Sequence, residues 1–139
     1  MVAENHIEGI SRTLSRTGFL WDLYASDAFR PAQEARPDPL GLSVCSAVAL
    51  LLESVLGIEV NAPAGEVRWN IRQTVRHGVH RLPLGEATID LSCETRRHRK
   101  APAKIRVKTD RAFALIVSLD GKQSRRKIAA GDTEFEISP

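Results

Sequence analysis

Leu40-Gly41-Leu42-Ser43-Val44-Cys45-Ser46-Ala47-Val48-Ala49-Leu50-Leu51-Leu52-Glu53-Ser54-Val55-Leu56-Gly57-Ile58-Glu59-Val60 runs into the turn Asn61-Ala62-Pro63-Ala64-Gly65, and the chain then continues Val67-Arg68-Trp69-Asn70-Ile71-Arg72. The change of period between these two stretches decides the fold. In the first, only Ser43, Ser46, Glu53 and Ser54 relieve the apolar run before Gly57, which predicts a helix over 40–60 that is apolar on most sides. In the second, Val67, Trp69 and Ile71 alternate with Arg68, Asn70 and Arg72, the period of a strand with one wet face. A helix as apolar as the first normally lies in a larger core or between subunits.

Upstream, Ile7, Ile10 and Leu14 recur at helical spacing and predict an amphipathic helix over 4–16, ended by Gly18. Phe19-Leu20-Trp21-Asp22-Leu23-Tyr24 is the aromatic-rich patch of the chain, and residues 25–39, with three prolines, read as an irregular loop. Downstream, alternation predicts further strands over 78–84, 87–95, 103–109, 113–119, 122–128 and 133–138, with Asp120-Gly121 the strongest hairpin signal and Gly131-Asp132 a second turn. The expected architecture is therefore α+β: an N-terminal helical hairpin, residues 1–65, followed by a small antiparallel β-sandwich of about seven strands, residues 66–139. Two helices joined by a loop have no interior of their own, so part of the apolar helix is expected to take its cover from outside the pair.

At 139 residues and 42% hydrophobic content the chain has the size and composition of one folded domain or a piece of a larger one. Glu53 and the serines beside it argue against a membrane span, and Met1-Val2-Ala3-Glu4-Asn5-His6 has neither the basic start nor the apolar stretch of a secretory signal, so a cytoplasmic location is expected. Cys45 and Cys93 lack neighbours at metal-ligand spacing and read as small buried thiols. His77 and His80 are read in an arginine-flanked turn that would repel a cation, so neither a metal nor a cofactor is expected.

Charge divides the chain. Up to Gly65 there are 4 Arg against 8 Asp and Glu, net −4; beyond it 16 Lys and Arg stand against 9 Asp and Glu, net +7. The densest clusters are Arg96-Arg97-His98-Arg99-Lys100 and Arg125-Arg126-Lys127. Nucleic-acid binding is disfavoured because Phe113 and Phe135, the aromatics past Trp69, fall in core-facing strand patterns where no base could stack on them. The clusters read as solvated loops that discourage edge pairing.

Phe19 to Tyr24, the proline-containing loop, Gly41-Leu42-Ser43 opening an apolar helix, Leu56-Gly57-Ile58 ending it, Ala62-Pro63, Val67 to Arg72 and His77-Gly78-Val79 together resemble the C-terminal end of the (α/α)6-barrel glycoside hydrolases of the trehalase and mannosylglycerate-hydrolase-like group. In that group the last helices of the barrel are followed by a small β-sandwich. The resemblance implies a carbohydrate-active, glycoside hydrolase-like C-terminal fragment. It also implies an inverting mechanism, which needs two carboxyl groups about 6.5–9.5 Å apart. Asp22 stands where the family carries its general-base glutamate, one methylene shorter, a retreat of about 1.5 Å that can cost about 10²-fold in rate. The general acid of the family lies earlier in the barrel, in a region without a counterpart here, so the chain alone is expected to lack hydrolase activity. By the same resemblance Trp21 and Tyr24 would bind carbohydrate by stacking on pyranose faces. Without it, Asp22 reads as a loop carboxylate that caps a turn or pairs with Arg30 or Arg36, and Trp21 and Tyr24 as anchors of the loop. The competing expectation is a non-catalytic module that forms a homodimer or docks on a separately encoded barrel.

Overall fold

The computed structural model describes residues 2–19, 21, 30–37 and 42–139. It divides into two compact units, Met1–Val55 and Leu56–Pro139.

The first unit holds helix α1, Val2–Thr17, and helix α2, Leu42–Ala49. Gly18, at φ +72°, ends α1 with its N–H donated to the Leu14 carbonyl at 2.8 Å, the capping that glycine just past a helix makes easy. Thr13, fully buried on α1, donates its hydroxyl back to the Gly9 carbonyl at 2.8 Å, so this polar side chain is satisfied within its own helix. The apolar run is shorter as a helix than its composition suggests. After α2 the backbone passes into a π-helical segment, Leu50–Leu56, and Ile58–Val60, expected as the helix end, belongs to a strand. The π geometry is wider than the α-helix and unusual over seven residues. None of the described side chains from Cys45 to Leu56 is buried, and Val48 is 48% exposed. No helix among the described residues is long and apolar enough to cross a membrane.

The second unit is a β-sandwich of eight strands: β1 Ile58–Asn61, β2 Glu66–Asn70, β3 His77–Leu84, β4 Ala87–Cys93, β5 Ala103–Thr109, β6 Phe113–Leu119, β7 Lys122–Ile128 and β8 Gly131–Ile137. One sheet has the order β1-β2-β6-β7 and the other β3-β4-β5-β8. All neighbours are antiparallel except β2 and β6, which run parallel, so the expected antiparallel sandwich is corrected at one pair. The additional strand β1 pairs with β2 in the register Ile58 to Trp69. His77 and His80 lie in β3 rather than in a turn, and Gly131-Asp132 opens β8 rather than turning before it.

Alternation produces the core. Val67 and Trp69 on β2, Ile89, Leu91 and Cys93 on β4, Ala103, Ile105 and Val107 on β5, and Leu115, Val117 and Leu119 on β6 are essentially inaccessible to water. Trp69 is the largest of them, and its indole N–H donates to the Leu56 carbonyl at 3.1 Å, which satisfies the polar atom that its burial would otherwise strand. Asp120 at φ +50° and Gly121 at φ +85° form the tight β6–β7 hairpin the sequence signals, both central residues left-handed. Phe135, expected to face the core, is only partly buried, on β8 at the edge of its sheet.

Candidate functional site

Of the three residues the resemblance singles out, the described structure contains Trp21; Asp22 and Tyr24 lie outside the described residues. Trp21 is half-buried, and its indole N–H donates to the Thr17 hydroxyl at 3.1 Å. That hydroxyl donates in turn to the Thr13 carbonyl at 2.9 Å, and the Trp21 backbone bridges to Pro37. The polar end of the ring thus ties the aromatic segment to the last turn of α1, which is the geometry of a loop anchor. Phe19, two residues earlier, is 58% exposed.

In the β-sandwich the most elaborate polar construction joins residues 71–76, after β2, to residues 94–102, after β4. Arg96, in the cationic cluster read from sequence as solvated, is instead buried, with only 6% of its surface accessible. Its guanidinium donates to the carbonyls of Arg99 at 2.7 Å, Ala101 at 3.2 Å and Gln73 at 2.8 Å, while its backbone N–H donates to Thr74 at 2.7 Å. Three carbonyl dipoles take the place of a carboxylate and spread the charge over two loops. Arg97, His98, Arg99 and Lys100 project into solvent from the loop that Arg96 folds. Sequence reading missed Arg96 because a run of cations carries no mark of which one turns inward. Arg96→Leu keeps comparable bulk but removes the donors of these carbonyls; it is expected to lower unfolding stability by about 2–3 kcal/mol, measured by urea denaturation.

His77 sits beside this knot. Its ring meets Trp69 edge to face at 5.6 Å, and its Nδ1 lies 2.8 Å from the Val75 carbonyl, the arrangement of a protonated Nδ1 that donates. Nε2 is buried without a protein partner, as is the Nε of Arg96. Burial chiefly, and secondarily the Arg96 charge, push the His77 pKa below its ordinary value, against the raising effect of the Val75 carbonyl. The unfolded chain therefore takes up a proton at this imidazole at a higher pH than the folded one does. Stability falls as pH drops below about 6.5 and levels off below the folded pKa. In His77→Gln that part of the pH dependence of the urea midpoint is expected to disappear.

Other nucleophilic and charged groups among the described residues have the following settings. The Cys93 thiol is buried and its pKa is raised, first by desolvation, which keeps it protonated and unreactive; Cys45, expected to be buried, is exposed. Glu66 on β2 is buried under Arg68 at 3.0 Å and Arg125 at 3.3 Å, a carboxylate roofed by two solvent-facing guanidiniums. His80 is exposed and 3.8 Å from Asp90. Among the described residues no group of three or more His, Cys, Asp or Glu side chains is placed to hold a metal ion. The Arg125-Arg126-Lys127 cluster is part of β7 rather than a loop, and Arg126 lies over the Phe135 ring at 4.5 Å from its centroid.

Comparison with protein-family models, with curated proteins and with solved structures gives no match, and the functional reading therefore rests on this chain's own residues.

Proposed function

We propose that this chain is a glycoside hydrolase-like, carbohydrate-active C-terminal portion of the (α/α)6-barrel type, without hydrolase activity as an isolated chain, and that it works in the cytoplasm. The observation that carries the reading is the state of the apolar run. Thirteen of the residues from Leu40 to Ile58 are Leu, Val, Ile, Ala or Cys, yet none of the described side chains from Cys45 to Leu56 is buried. The sandwich, by contrast, closes a dry core from its own strands. Apolar surface returns about 25 cal/mol for each Å² removed from water, so a run of this composition favours cover, and the final helices of a barrel find that cover on neighbouring barrel helices.

In this reading Asp22 marks the general-base position, and Trp21 and Tyr24 border the sugar. The Thr17 bond engages Trp21 at its indole N–H. The chain alone lacks the general acid. Purified chain is accordingly expected to leave trehalose and aryl glycosides intact over a day at neutral pH; turnover that Asp22→Asn abolishes would overturn this part of the proposal. The alternative, a non-catalytic module that forms a homodimer or docks on a separately encoded barrel, draws on the same uncovered run. Oligomeric state alone does not separate the two, whereas binding to immobilised oligosaccharide that Trp21→Ala weakens favours the first.

A further inference from the structure

Both sheets of the sandwich end, on one side of the molecule, in strands of opposite charge. β7 is the edge of one sheet and β8 the edge of the other. β7, Lys122-Gln123-Ser124-Arg125-Arg126-Lys127-Ile128, carries four cations and no acid, and β8, Gly131-Asp132-Thr133-Glu134-Phe135-Glu136-Ile137, carries three acids and no cation. The two edges lie over each other. Arg126 stacks on Phe135, the Lys122 ammonium is 3.4 Å from the Pro139 carbonyl, and an open groove of about 200 Å³ between them is lined by Leu119, Lys122, Ser124, Arg126, Glu136 and Ile137. These contacts are in the order of strands that run in opposite directions, the Arg126 and Lys122 side chains reaching residues 135 and 139.

We propose that this side of the sandwich is the interface of a symmetric homodimer, in which β7 of each protomer extends its sheet by antiparallel pairing with β8 of the partner. An edge strand presents unpaired backbone N–H and C=O groups, and pairing strands across such edges is an established mode of association. Charge selects the pairing. β7 against a second β7 sets four cations on four, whereas β7 against β8 sets cations on acids; within the protomer Asp132 and Glu134 already pair with Arg106 and Lys104 of β5 and Arg125 with Glu66 of β2, so the contact extends these pairs into a network across the seam.

Symmetry then carries the register over from the protomer, with 126 set against 135 and 122 against 139 as the side-chain contacts suggest. A two-fold axis parallel to the strands exchanges the two sheets without changing height along the strand, so each β7 residue meets the partner-strand residue already level with it in its own protomer. Arg125 then falls opposite the position of Glu136, Lys127 opposite that of Glu134, and Gln123 opposite that of Ser138. All six belong to outward-facing positions, so the pleat is respected. The same operation repeats the pairing in the other layer and closes the assembly at two protomers.

The test is a charge swap read by light scattering of the full chain at about 100 μM and low salt, a concentration at which associations of micromolar strength are populated. The natural chain is expected at twice its 15.3 kDa mass. Reversal of β7 by Lys122→Glu with Lys127→Glu, which leaves Arg125 on the buried Glu66, should give a folded monomer, and so should reversal of β8 by Glu134→Lys with Glu136→Lys. An equimolar mixture of the two variants should regain the dimer mass, because each reversed β7 then meets a reversed β8 and each natural β7 a natural β8. Thermal unfolding checks that both variants remain folded; if either does not, the salt dependence of the natural dimer decides, with dissociation at 0.5 M NaCl expected. A monomeric natural chain, variants that stay dimeric, a mixture that stays monomeric or a salt-insensitive dimer would each overturn the proposal. A dimer lost in Val48→Glu but kept in both charge variants would place association on the apolar helix instead. The failure of this interface leaves the glycoside hydrolase-like reading untouched, since that reading rests on the motifs between Phe19 and Val79 and on the apolar run.

Discussion

Trp69→Ala is expected to lower the unfolding free energy of the sandwich by about 3–5 kcal/mol, the range for emptying a large aromatic site in a packed core. Trp69 is 0% exposed and belongs to the strand that joins β1 to β6, so the cavity opens where three strands depend on it. The substitution also strands the Leu56 carbonyl, which loses the indole N–H at 3.1 Å, and removes the edge-to-face partner of His77. Trp69→Phe separates the two contributions: it keeps most of the volume but not the donor, and its cost is expected near the value of one lost hydrogen bond, about 1 kcal/mol. Guanidinium denaturation followed by far-ultraviolet circular dichroism reads both variants. Equal costs for Ala and Phe would mean that the hydrogen bond, rather than the filled volume, dominates at this position.

Gly57→Ala carries the second large effect. Gly57 stands at φ +74°, where the chain leaves the π-helical segment for β1, and a Cβ there would lie 2.2 Å from the Asn70 carbonyl oxygen. The left-handed conformation alone costs a non-glycine residue about 1–3 kcal/mol. The overlap forces the backbone apart as well, at the point where the Asn70 N–H donates to the Gly57 carbonyl at 2.8 Å. Gly121→Ala supplies the control. It stands at φ +85° with nothing within 4 Å of the added carbon, so it bears the conformational cost without the overlap. The difference between the two variants, measured by urea denaturation, isolates the close approach of Gly57 to Asn70; identical losses would show that the approach relaxes freely.

How much of this was legible in the sequence varies with the distance over which each feature is determined. Strands β4, β5 and β6 were read at or near their observed bounds because alternation of apolar and polar residues is local and their inward positions are fully buried. Asp120-Gly121 was legible for the same reason, since a two-residue turn needs no knowledge of the rest of the fold. The strand β1 was hidden inside the apolar run. Ile58 and Val60 satisfy a helical pattern as well as a strand pattern, and only pairing with Glu66–Asn70, held by Gly57, decides between them. The parallel pairing of β2 with β6 depends on residues nearly fifty apart and leaves no local trace. Arg96 and Glu66 were illegible for a related reason: each is a charged residue whose burial is set by carbonyls or guanidiniums from other elements, and charge alone reads as solvent. At the aromatic segment, Trp21 shows its anchor on Thr17 only once α1 is in place to present the hydroxyl.

Amide hydrogen exchange on the full chain, resolved by residue, tests most directly whether the apolar run lacks cover of its own. Buried strands open only with the unfolding of their unit, whereas helices without buried side chains open locally. The amides of Cys45–Leu56 are therefore expected to exchange at least about 100-fold faster than those of β4 and β6 in the same sample. Protection of Cys45–Leu56 equal to that of β6, at concentrations where the chain is monomeric, would contradict the account, because the run would then have found its cover within a single chain.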